Sequence, residues 1–143
     1  MKNWLILFSI VLLAFQACKT EQQATACTNY TSIEFNGTLY IQPKDSPGFT
    51  NTYTWQQAVD YCNNLDFDGC DDWYLPSVDE LVEITNHKAS IGDFPASAPY
   101  VYWSSTQDPN HSDESYYVQT YYTMASKGTD PQYEVYRCRC VRK

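Results

Sequence analysis

The stretch "DWYLPSVDEL", residues 72–81, sets three carboxylates, two aromatic rings and a proline within ten positions. Two of those acids have a backbone explanation. Ser77 followed three residues later by Glu80 is a capping box, in which each side chain accepts from the other residue's backbone N–H. Asp79 falls in the first helical turn, where the helix dipole favours anions. Val78, Leu81 and Val82 supply an apolar face that fades by Asn86, His87 and Lys88, and Pro76 holds Leu75 extended. The spacing therefore predicts a helix opening at Ser77. Asp79 and Glu80 are adjacent on it and diverge, which does not suit the paired acids of glycoside hydrolysis.

Just upstream, "DFDGCDD" places Asp66, Asp68, Asp71 and Asp72 around a glycine, as calcium loops array oxygen ligands. The full twelve-residue loop and its terminal bidentate glutamate are missing, and a solvated turn between helices is the simpler expectation. Before it, "TWQQAVDYCNNL" has its own capping box in Thr54 and Gln57. Trp55, Ala58, Val59, Cys62 and Leu65 follow at helical spacing, so Cys62 points into the core.

On the N-terminal side, Ile33 and Phe35 alternate into Asn36-Gly37, and Leu39 and Ile41 resume the alternation, a strong local signal for a hairpin. On the C-terminal side, residues 87–100 carry small residues and prolines and read as an irregular loop. "VYWSST" starts a strand, "QDPNHSDE" (107–114) is a polar loop, and "SYYVQTYYTM" and "YEVYRCRCVR" read as strands joined by the turn "SKGTDP". In the last strand Tyr136, Cys138 and Cys140 share one face by the two-residue period. If that face is internal, Cys140 can meet Cys62 on the helix. Cys27 with Cys138 is the second expected bridge, leaving Cys70 over.

The first eighteen residues stand apart. One lysine, an apolar run from Trp4 to Phe15 and a small residue before Cys18 read as a secretory signal, too short for a membrane span of about 20 residues. Cys18 directly after Ala17 resembles a bacterial lipobox, so residues 1–18 are expected to be a lipoprotein signal with Cys18 lipidated. Residues 19–28 form a polar tether and 29–143 one domain. The expected location is the bacterial cell envelope, attached by lipid, with the outer membrane favoured. A net charge of −8 repels phosphate backbones and opposes nucleic-acid binding. Arg137, Arg139, Arg142 and Lys143 read as a solvent-facing basic strand end. No C-x-x-C pair and only two histidines argue against a zinc or thioredoxin-like centre.

Four motifs occur in order: Trp55 to Leu65, Asp72 to Leu81, "YWSST" (102–106) and "RCVR" (139–142). Together they resemble the bacterial exported-domain family typified by the C-terminal domain of the Lcl collagen-like adhesin, over residues 53 to 142. The resemblance implies an α+β, C-type lectin-like fold: two helices on a twisted antiparallel sheet, disulfide-stapled, with N- and C-terminal strands side by side. It also implies a helix-to-last-strand disulfide, carried here onto Cys62 and Cys140. Tyr74 stands where the family commonly carries arginine, and Cys70 and Cys138 are extra.

What the residues imply for function is binding rather than catalysis. Trp73 and Trp103 are expected in the core with partners for their indole N–H groups. Ser104, Ser105 and Thr106 lack a nucleophile elbow and read as structural hydrogen-bonders. No enzyme is expected. Asp108, Asn110, Asp113 and Glu114 are the ligand-binding candidates, and Asp-Pro-Asn at 108–110 resembles the Glu-Pro-Asn tripeptide of calcium-dependent lectins, a likeness that a cis Asp108–Pro109 peptide would strengthen and a trans one weaken. The expected partner is a glycan or protein. No cofactor is implied beyond calcium. Paired tyrosines at 116–117 and 121–122 offer rings for stacking on sugars. The rival expectation is a structural or assembly component of a surface apparatus, and a hydrolase comes last.

Overall fold

A computed structural model describes residues 27, 32–44, 48–92, 94, 100–120 and 125–143. The expected signal, Cys18, most of the tether and the tyrosines at 121–122 lie outside them. Among the described residues no helix is long and apolar enough to cross a membrane.

The architecture is α+β, with two three-stranded antiparallel sheets. The first is ordered β1 (Ile33–Phe35), β2 (Leu39–Ile41), β6 (Val141–Arg142), so a strand near the N-terminus lies beside the last one. Asn36 and Gly37 take left-handed φ values of 48° and 76° in the β1–β2 turn, which asparagine and glycine tolerate best. The second sheet is β3 (Tyr100–Gln107), β4 (Glu114–Thr120), β5 (Ala125–Pro131).

Between them lie the helices α1 (Trp55–Asn63), α2 (Val78–Asn86) and the single turn α3 (Lys88–Ile91). At the start of α1, Gln57 Oε1 accepts from the Thr54 N–H at 3.1 Å; Ala58 and Cys62 on the helix are buried, as is Leu65 just after it. In α2 the box closes both ways, with Ser77 N–H to Glu80 Oε2 at 3.0 Å and Glu80 N–H to Ser77 Oγ at 3.3 Å. Thr106 Oγ1 accepts the Val78 N–H at 3.0 Å, giving a further first-turn donor a partner.

Two expectations about the C-terminal third fail. "SKGTDP" is strand β5 rather than a turn, paired along its whole length to β4. Tertiary pairing overrides its poor strand propensity. As a sheet edge it carries Lys127 and ends in Pro131, both features of edges. Conversely, "YEVYRCRCVR" is not one strand. Tyr136 bridges Tyr53, Arg137 bridges Tyr102 in parallel, and Val141 pairs with both β2 and Tyr74. The segment is a spine threaded between the sheets, which changes partner every residue or two. Residues 138–142 are consequently all buried. Arg139 and Arg142 are therefore not solvent-facing. Arg139 is fully buried, stacked on the Phe94 ring at 4.2 Å, with Nε donating to the Gln42 carbonyl at 3.0 Å. Residues 87–100 also include α3, which the loop reading did not foresee, because its single turn has no apolar period to read.

The core joins the signature residues. Trp103 is 0 % exposed and its Nε1–H donates to the Tyr53 carbonyl at 3.0 Å, while Trp73 Nε1–H reaches the Cys70 carbonyl at 3.1 Å. Ser104 Oγ–H donates to the Tyr116 carbonyl at 2.8 Å, the structural part expected of the serine run.

Disulfides join Cys62 to Cys140 and Cys27 to Cys70. The expected Cys27–Cys138 bridge is thus corrected: Cys70 is bonded and Cys138 is the buried free thiol. The same two-residue period that carries Cys140 to Cys62 carries Cys138 there too. Cys70, closing a tight turn with Phe67, is left to meet Cys27.

Candidate functional site

Of the acids upstream of α2, none gathers into a cation site. Asp68 and Gly69 form the tip of a tight turn at φ 60° and 72°, with Phe67 and Cys70 exchanging backbone bonds of 3.0 and 3.1 Å around it. Asp-Gly suits this left-handed pair of positions. Asp72 turns instead to Arg142, whose Nη2 lies 2.9 Å from Asp72 Oδ2 in a bidentate pair. That guanidinium holds the Asp72 carboxyl below its ordinary range. Among the described residues Asp66, Asp68, Asp71 and Asp72 do not bring three ligand oxygens together. Of these four acids, Asp72 is engaged by Arg142, and the other three flank the turn at Asp68 and Gly69.

Glu80 does more than cap. Tyr74 Oη–H donates to its Oε1 at 3.0 Å, and Lys143 Nζ lies 3.6 Å away. Burial would raise the Glu80 carboxyl, but the Ser77 and Tyr74 donors outweigh it and the group ends below its ordinary value. Burial and the same carboxylate push the Tyr74 phenol up. Tyr74 thus serves the helix-start acid as a neutral donor.

The loop candidates fare differently. Asp108 accepts the Asn110 N–H on Oδ1 at 2.9 Å and the His111 Nδ1–H on Oδ2 at 3.0 Å. The Asn110 N–H and His111 hold the Asp108 carboxyl low, and Asp108 in turn raises the imidazole above its ordinary value. The Asp108–Pro109 peptide is trans, which weakens the likeness to the lectin tripeptide. Ligand atoms of Asp108, His111 and Glu114 lie within 4.8 Å of one another, whereas Asn110 and Asp113 stand exposed beside them. One imidazole and two carboxylates are fewer and softer ligands than calcium's usual six to eight oxygens.

A neighbouring segment, which the sequence did not single out, completes this end of the second sheet. Gln132 N–H donates to the Asp113 carbonyl at 2.9 Å, and its Nε2 reaches the Ser112 carbonyl and Ser115 Oγ, both at 3.2 Å. These bonds fix residues 132–135 against the 107–114 loop. They hold Tyr133, 74 % exposed, and Val135, 54 % exposed, the exposed large apolar residues of the described chain. The 107–114 loop that Gln132 bonds to carries Asp108, Asp113 and Glu114, and Glu134 lies between the two exposed residues. Tyr133 carried no readable signal, because a tyrosine in a short turn is as often buried as exposed. Of the tyrosine pairs in the sequence, the described one packs on neighbouring side chains instead: Tyr117 lies against Tyr136 and Tyr116 against the Tyr102–Val118 cluster.

Chemically the surface can stack a flat apolar face on one ring and accept hydrogen bonds around it. No curated protein matches the chain. The family model of the Lcl C-terminal domain matches residues 14–142, nearly the full length, and the chain belongs to that family.

Proposed function

We propose that this chain is a non-enzymatic binding domain of the bacterial cell envelope, C-type lectin-like in fold and adhesive in role. Its ligand surface is the end of the second sheet formed by residues 107–114 and 132–135. The observation that carries this is Tyr133: a ring 74 % exposed, next to Gln132, whose bonds tie this segment to the acid-rich 107–114 loop. A rigid exposed aromatic beside hydrogen-bond acceptors suits the apolar face and hydroxyls of a saccharide, or a protein surface patch. The acids of that loop and the net charge of −8 disfavour sulfated or phosphorylated polymers and favour neutral or cationic ligands. The strand order β1-β2-β6 and the Cys62–Cys140 bridge support the lectin-like reading.

A glycan array with and without calcium tests the function, using wild-type protein and Tyr133→Ala. Hits on neutral glycans that Tyr133→Ala weakens about tenfold would support it, about 1.4 kcal/mol of binding. Silence across the array together with self-association in sedimentation would favour an assembly component instead. Export and lipid attachment at Cys18 belong to the same proposal, and mass spectrometry of the mature N-terminus checks them.

A further inference from the structure

Outside the loop surface, the densest cluster of reactive side chains is in the core. The sulfurs of Cys62, Cys138 and Cys140 lie within 4.8 Å of one another, and none of the three residues is more than 1 % exposed. Cys62 and Cys140 are bonded; Cys138 is a thiol. Cys138 and Cys140 sit two apart on the extended spine, so both project toward α1. The sulfur of Cys62 therefore faces two partners on one segment.

We propose that Cys138 is an exchange partner for the Cys62–Cys140 disulfide, so that α1 can be stapled to the spine at either of two positions. The Cys138 thiol loses its proton and the thiolate attacks Cys62 Sγ. The Cys138–Cys62 bond forms as the Cys62–Cys140 bond breaks, and the leaving electron pair and a proton end on Cys140 Sγ. Nothing is oxidised or reduced overall, and no outside reagent is consumed. Attack on Cys140 Sγ is disfavoured, since two residues of extended chain separate the Cα atoms by about 6.6 Å, near the limit for a disulfide.

Burial pushes the Cys138 thiol up to about 12, which keeps it protonated and unreactive in the closed core. Exchange thus waits on local opening of the helix–spine contact. Its consequence is specific. Cys140 is the residue hydrogen-bonded to Gln42 through both its backbone groups. With the staple at Cys140, α1 is tied covalently to the first sheet's connection; with the staple at Cys138, that tie moves two residues toward the second sheet.

The test is peptide mapping of the purified protein, held at alkaline pH in denaturant well below its unfolding midpoint, then quenched with acid and alkylated. Trypsin cuts after Arg137 and Arg139, which puts Cys138 and Cys140 on different peptides, and chymotrypsin after Phe67 separates Cys62 from Cys70. The expected result is growth of a Cys62–Cys138 species with Cys140 alkylated while Cys27–Cys70 stays whole, and Cys140→Ser recovered with a Cys62–Cys138 bond. Persistence of Cys62–Cys140 alone would overturn the proposal. So would scrambling that involves Cys27 and Cys70 at the same rate, since that reports global unfolding. If Cys140→Ser does not fold, the wild-type mapping decides by itself.

Discussion

Gln42 and Cys140 are joined twice: the Gln42 N–H donates to the Cys140 carbonyl at 3.0 Å, and the Cys140 N–H donates to Gln42 Oε1 at 3.0 Å. Gln42 is fully buried, and its other polar atoms are engaged as well, Nε2 with Tyr61 Oη at 2.6 Å and the carbonyl with Arg139 Nε at 3.0 Å. One side chain thereby connects the first hairpin, α1 and the spine. Gln42→Ala leaves the buried Cys140 N–H without its acceptor, costing about 1–3 kcal/mol, and removes one contact of the half-buried Tyr61 hydroxyl. A loss of about 3 kcal/mol in denaturant unfolding is expected; a loss below about 1 kcal/mol would show that water replaces the side chain.

Tyr117 and Gly128 face each other across β4 and β5. A Cβ on Gly128 would meet Tyr117 Oη at 2.6 Å and Cζ at 2.8 Å. Gly128→Ala should cost about 1–3 kcal/mol by overpacking. In a Tyr117→Ala background the same change should be nearly neutral, and a double-mutant cycle on thermal unfolding reads the difference.

The Asp72–Arg142 pair sets an acid-side dependence. The folded Asp72 carboxyl is lowered, so the pair's contribution is present above the unfolded value near about 3.9 and is lost as pH falls through the folded value. Asp72 is half exposed, which limits the effect to about 1 kcal/mol. Melting temperature against pH should fall less steeply below about pH 4 in Asp72→Asn than in the wild type.

The Asp108–His111 contact makes the opposite prediction. The folded imidazole is raised from 6.5, so its contribution is complete below that value and is lost as pH rises through the folded one. An NMR titration should place the His111 midpoint above the ordinary 6.5, and Asp108→Asn should bring it back down. An unchanged midpoint in Asp108→Asn would remove the contact from the solution structure.

How much of this was readable follows from what each residue's neighbours are. Both capping boxes and the Asn-Gly hairpin depend on atoms a few residues apart, and the sequence displayed them. The helical stripe that buries Cys62 is equally local. The loop candidates were legible only in part: Asp108 and Glu114 converge, but on His111, whose role needs the loop's actual turn, and Tyr133 became prominent only once Gln132 was seen to anchor it.

Local chemistry, then, determined where the helices start, which face of each is apolar and where the first chain reversal falls, because propensity, caps and periodicity act over less than two turns. Only the tertiary structure decided that "SKGTDP" becomes a strand, that Arg139 and Arg142 are buried, and that Cys70 rather than Cys138 bonds Cys27. Each of those outcomes depends on partners outside the local segment: the ladder to β4 for "SKGTDP", Gln42 and Phe94 for Arg139, and the two-sided packing of the spine for the cysteines. Local sequence sets no preference strong enough to oppose a full ladder of hydrogen bonds or a closed core.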